Sequence, residues 1–154
     1  MTYQCEILDQ SEQPVLSIRT RSAVQNLPQV LGASWGAIMQ YMGQMGEQPV
    51  GPPFVAYYNM DMQDLDSEVG FPVGSVLAGK GEVGASRIDA GPGATCLHTG
   101  PYSDLEPAYT ALTKWMQEHG HEAAGVSYEY YLNDPDETPP EQLQTRVVFP
   151  LKKG

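Results

Sequence analysis

Residues 103–119, Ser-Asp-Leu-Glu-Pro-Ala-Tyr-Thr-Ala-Leu-Thr-Lys-Trp-Met-Gln-Glu-His, set Leu105, Ala108, Tyr109, Leu112, Trp115 and Met116 at steps of three and four. That spacing lays one apolar stripe along an α-helix. Residues 26–45 repeat it with Leu27, Val30, Leu31, Ser34, Trp35, Ile38, Tyr41, Met42 and Met45. Ser103 with Glu106 three residues on reads as a capping box, and Gly46 and Gly120 stand where a left-handed residue ends a helix. Moving the earlier stretch forward by 74 positions brings the two into register: Ala37 falls on Ala111, Ile38 on Leu112, Tyr41 on Trp115, Met42 on Met116 and Gly46 on Gly120. The same shift places Phe54 on Tyr128, Tyr57 on Tyr131 and Asn59 on Asn133, and a shift of 78 places Phe71-Pro72-Val73 on Phe149-Pro150-Leu151. Changes of offset fall in loops, which tolerate insertion.

Working outward from the helices, alternating and β-branched runs predict strands at about 14–20, 54–59 and 66–72, then at about 93–99, 125–132 and 144–151. Further strands lead each half, near 4–9 and 80–89. The expected class is α+β: two pseudo-twofold-related β-α-β-β units forming a mostly antiparallel sheet with two main helices. The whole chain, 1–154, is expected to be one domain made of two repeats, about 1–74 and 79–154, with a ligand cleft at their seam.

Composition narrows the partners. The net charge of -11 opposes a phosphate backbone, and no Lys/Arg cluster offsets it, so direct nucleic-acid binding is not expected. The same field concentrates cations near any cleft, although an acidic surface also serves solubility alone. No apolar run approaches the ~20 residues that cross a bilayer, and the N-terminus lacks the basic and apolar regions of a signal peptide. A cytoplasmic location is expected, with Cys5 and Cys96 as reduced thiols. His98, His119 and His121 make no metal-ligand pattern with them, and no cofactor is expected. No phosphate loop and no nucleophile elbow is present.

The residues 125–132, Gly-Val-Ser-Tyr-Glu-Tyr-Tyr-Leu, carry the chemistry. Strand alternation puts Ser127, Glu129 and Tyr131 on one face, with Tyr128, Tyr130 and Leu132 on the other. At the 74-residue shift Glu129 replaces Val55. It is either an exposed carboxylate on a solvated face or a buried acid among aromatic rings. In the second case burial raises its pKa, and an organic cation compensates the cost, helped by cation–π attraction of roughly 0.5–2 kcal/mol. Tyr131, Tyr57, Trp35, Phe71, Tyr102, Phe149 and Tyr58 are candidate walls of such a pocket.

With these residues in view the chain resembles the GyrI-like small-molecule-binding family, which includes effector-binding domains of multidrug-sensing transcription regulators and the gyrase-inhibitor protein. The resemblance rests on Gln13-Pro14-Val15, Gly51-Pro52-Pro53-Phe54-Val55-Ala56-Tyr57, His98-Thr99-Gly100-Pro101-Tyr102, Tyr128-Glu129-Tyr130-Tyr131-Leu132-Asn133-Asp134-Pro135 and Val148-Phe149-Pro150-Leu151. It implies a hydrophobic pocket between two halves, with Glu129 as the acid that meets cationic drugs. With the first strand near residue 4, no DNA-binding domain is expected ahead of it, and a stand-alone sensor or sequestering protein is expected. Two other roles are implied: hydrolysis of reactive electrophiles with Glu129 as general base, and binding of a protein partner such as gyrase.

Overall fold

Each apolar stripe finds a sheet to cover, and this organises the chain. The computed structural model describes residues 3–134 and 136–152; Pro135, the last residue of the tyrosine-rich motif, lies outside them. In chain order the elements are β1 (Cys5–Gln10), β2 (Gln13–Ser22), α1 (Leu27–Met45), β3 (Phe54–Tyr57), β4 (Leu65–Pro72), β5 (Gly84–Ile88), β6 (Gly91–Thr99), α2 (Glu106–Glu118), β7 (Ser127–Tyr131) and β8 (Gln144–Pro150). The class is α+β with antiparallel strand pairing.

Two compact units result. The terminal unit combines the residues up to Ser11 with those from Ala90 onward, in strand order β1-β6-β8-β7. The middle unit, Glu12–Asp89, has strand order β5-β2-β4-β3. The strand that leads each half of the sequence therefore pairs with a strand of the other half: β1 with β6, and β5 with β2. Both β2 and β6 offer a free edge of the same kind, so periodicity alone does not say which one a leading strand joins.

In the middle unit α1 buries Ser34, Ile38 and Met42. Ile38 and Met42 pack with Leu16, Ile18, Phe71 and Val73 from the sheet. In the terminal unit α2 buries Ala108, Leu112 and Met116 against Ala94, Cys96 and Val147. Each fully buried leucine or isoleucine contributes about 1.5–3 kcal/mol. The helix ends also correspond: Glu47 N–H donates to the Met42 carbonyl at 2.9 Å, and His121 N–H to that of Met116 at 2.9 Å. Gly46 and Gly120 both take φ 73°, a left-handed conformation that needs a residue without Cβ. The hairpins after the helices close alike, with the Asn59 side-chain oxygen accepting from Asp66 N–H at 2.9 Å and that of Asn133 from Gln144 N–H at 2.6 Å.

The start of α2 differs from the capping-box expectation. Ser103 lies in a short 3-10 turn, Tyr102–Asp104, and the helix begins at Glu106 with no side-chain cap on Leu105. Leu105 is buried with the core of the terminal unit, so its apolar side chain sets the entry of the helix. Cys5 and Cys96 are free thiols and cross-strand partners in β1 and β6. Burial pushes the Cys96 thiol up to about 12. Among the described residues no helix is long and apolar enough to cross a membrane, and no cluster of His, Cys, Asp and Glu could hold a metal ion.

Candidate functional site

Strand β7 alternates as its sequence requires, and the alternation decides the fate of its glutamate. Glu129 is the cross-strand partner of Val147, a core residue beneath α2, so its carboxyl points to the helix-covered face. It is 7% exposed. Its counterpart at the 74-residue shift, Val55, is 0% exposed in the middle unit, so a carboxylate occupies what is otherwise an apolar core position. Tyr128 and Tyr130 stack with each other at 6.1 Å, on the alternate positions of the strand.

Two phenols hold the carboxylate. The Tyr131 hydroxyl donates to Oε1 at 2.6 Å, and the Tyr109 hydroxyl, from α2, donates to Oε2. Around them Tyr102 meets the Tyr131 ring edge-on at 5.1 Å, and Tyr109 packs on Phe149 at 5.6 Å. Burial pushes the Glu129 carboxyl above the ordinary carboxylate range, while the phenol hydrogen bonds favour the ionised form and offset part of that rise. Among the described residues no Lys, Arg or His forms an ion pair with it. The result is a buried acid with neutral donors and aromatic walls.

The turn before α2 positions Tyr102. His98, 2% exposed, has Nδ1 within hydrogen-bond distance of the Tyr3 hydroxyl (3.0 Å), and its Nε2–H donates to the Pro101 carbonyl at 3.2 Å, since a carbonyl can only accept. Gly100 takes φ 141°, and a Cβ there would lie 3.3 Å from His98 Nε2, so glycine suits both the backbone and the space.

Of the residues singled out from the sequence, Glu129, Tyr131, Tyr102 and Phe149 come together in the terminal unit. Trp35, Tyr57, Phe71 and Tyr58 belong to the middle unit. There the Trp35 indole N–H donates to the Gly70 carbonyl at 3.3 Å, and Phe71 is part of the core under α1. Tyr57 ends β3 half-buried. The Tyr58 hydroxyl donates to Glu68 at 2.5 Å, and Ser17 donates to the same carboxylate at 2.6 Å. Glu68 is thus a second buried carboxylate, on the opposite register from the core residues under α1.

Tyr109, His98 and Glu68 were not among the expected site residues. Tyr109 carried a readable signal: it is the 74-residue counterpart of Trp35, as Glu129 is of Val55. In each unit the helix aromatic donates to an acceptor in its own sheet, a backbone carbonyl in one and the glutamate in the other. Glu68 carried none, because in the strand expected at about 66–72 it alternates with Val69 and Phe71 and falls on the face away from them.

Solved structures with this architecture share about a fifth of the sequence or less. The C-terminal domain of EcmrR superposes with a TM-score of 0.81 at 21% identity over 100% of both chains. In a cryo-EM complex of EcmrR with DNA the score is 0.86 at 22% identity, and the present chain, matched over 99% of its length, spans 58% of that chain. A hydrolase from Listeria innocua gives 0.67 at 19% identity over 97% of this chain and 92% of its own. SAV2435, solved bound to tetraphenylphosphonium, gives 0.64 at 11% identity over 99% and 94%. At these identities the likeness is one of fold. No curated protein matches the sequence. The sequence pattern of the GyrI-like small molecule binding domain matches residues 3–152, nearly the whole chain, and the protein therefore belongs to that family.

Proposed function

We propose that the terminal unit binds a small, apolar organic cation at Glu129, as an effector-binding or drug-sequestering domain of the cytoplasm. The observation that carries this reading is the buried carboxylate itself: 7% exposed, raised in pKa by burial, and held by Tyr109 and Tyr131 without a basic partner among the described residues. A cation brought by the ligand supplies the missing charge, and Tyr102, Tyr109, Tyr131 and Phe149 offer the apolar faces. The tetraphenylphosphonium-bound state of SAV2435, whose fold this chain shares, favours the same role. The two units share one strand order and one pattern of helix burial, which supports reading 1–154 as a duplicated domain in which one copy has Glu129 where the other has Val55. Because the cation binds the ionised form, affinity rises with pH through the raised pKa of Glu129 and levels off above it.

Tetraphenylphosphonium and tetraphenylborate have nearly the same shape and opposite charge. Calorimetric titration is expected to show the cation bound at least ~10-fold more tightly than the anion, a difference of about 1.4 kcal/mol or more. Equal affinity, or a preference for the anion, removes the basis of the proposal. The raised pKa also favours a second reading, in which ionised Glu129 takes a proton from water that attacks an electrophilic ligand. Mass spectrometry of a bound electrophile separates the two: the binder returns it unchanged.

A further inference from the structure

Four buried side-chain hydroxyls lack a hydrogen-bond partner among the described residues: Ser22, Ser67, Tyr102 and Thr145. Ser22 and Ser67 belong to the middle unit; Tyr102 and Thr145 flank one ring of the Glu129 cluster. Tyr102 meets Tyr131 edge-on at 5.1 Å. Thr145, 0% exposed, is the cross-strand partner of Tyr131 in β7 and of His98 in β6. It shares the helix-covered register of Val147 two residues on. Neither neighbouring side chain takes its hydrogen bond: the Tyr131 hydroxyl donates to Glu129, and the His98 nitrogens face Tyr3 and Pro101.

Orphaned buried hydroxyls are rare in folded proteins, and an unmet donor is the costlier half of each. Valine fills the space of threonine and phenylalanine that of tyrosine, without the penalty. Core packing alone does not require a hydroxyl at either position; the 78-residue shift puts Ser67, also unpartnered, at the place of Thr145 in the middle unit, where no acid stands at the Glu129 position. Two such donors beside the one ring that also serves the buried acid call for an acceptor from outside the chain.

Resting on the proposed binding at Glu129, we propose that Thr145 and Tyr102 form a polar subsite and that the preferred ligand is an organic cation carrying an acceptor oxygen. The class is that of cations with an ether or carbonyl group on an aromatic body, as opposed to purely hydrocarbon cations. Glu129 takes the charge, the aromatic rings take the body, and the two hydroxyls donate to the oxygen. One hydrogen bond to a neutral acceptor changes affinity by roughly threefold to tenfold.

The probes are the ortho, meta and para isomers of (methoxyphenyl)triphenylphosphonium, each titrated against the ethylphenyl cation that replaces its oxygen with a methylene. The wild type is expected to prefer at least one methoxy isomer over its ethyl counterpart by about threefold or more. In Thr145→Val, Tyr102→Phe or the pair of them, that ratio falls towards one. The free Thr145→Val protein is expected to melt at a higher temperature than the wild type, because an unpaired donor is gone; a lower melting temperature marks a hydroxyl already satisfied by water and counts against the subsite. No preference for any methoxy isomer, or a preference that survives both substitutions, overturns the proposal. If the ethylphenyl cations bind the wild type and depend on Glu129, the failure is confined to the subsite. If no cation binds, both readings fall.

Discussion

Glu129→Ala is expected to destabilise the protein by about 2–4 kcal/mol at about pH 4, where the wild-type carboxyl is largely protonated. The substitution removes the acceptor of the Tyr109 and Tyr131 hydroxyls and leaves a void at a position that is 7% exposed. Glu129→Gln behaves differently. Burial raises the carboxyl in the folded state above its value in the unfolded chain. A raised carboxyl contributes stability that is fully present below the unfolded pKa and is lost as pH rises through the folded pKa. At about pH 4 the Gln variant should match the wild type, and at about pH 8 it should be the more stable of the two, because it has no proton to lose. Chemical denaturation at both pH values checks this. A wild type that gains stability over the Gln variant as pH rises would mean that the ionised carboxylate is well solvated or paired.

The second large effect lies in the core beneath the site. Leu112→Ala removes a side chain that is 0% exposed and packed with Ala94, Cys96, Ala108, Met116 and Val147. A loss of about 2–5 kcal/mol is expected, since the neighbours on the sheet cannot follow the retreating side chain. Because α2 also carries Tyr109, the same change loosens the helix-borne donor to Glu129. The midpoint of urea denaturation should fall with the slope unchanged. A loss below about 1 kcal/mol would show that α2 docks through other residues.

Much of this arrangement was legible in the amino-acid sequence, for physical reasons that particular residues make plain. The stripes through Ile38 and Leu112 dictate helices, and those helices stand at Leu27–Met45 and Glu106–Glu118. Glu129 and Tyr131 share a face because strand alternation leaves no choice. Whether that face was wet or covered depended on α2 lying over it, and no local pattern states that. Tyr109 was read as a core aromatic, because its hydroxyl meets Glu129 only through tertiary packing. The partners of β1 and β5 depended on a choice between equivalent edges. The orphaned hydroxyls of Thr145 and Tyr102 are visible only when every neighbour's hydrogen bonds are known. A threonine in a strand and a tyrosine before a helix are otherwise unremarkable residue choices.

Cation binding at this site depends on the charge state of one buried carboxyl, and titration calorimetry with tetraphenylphosphonium tests that dependence most directly, using the wild type and Glu129→Gln between about pH 5 and 8. Wild-type affinity should rise with pH, with a proton released on binding while the carboxyl is still protonated. The Gln variant should bind at least ~10-fold more weakly above the raised pKa, with no pH dependence. Equal affinities for the two proteins, or the same slope with pH in both, would contradict the assignment of Glu129 as the group that receives the cation.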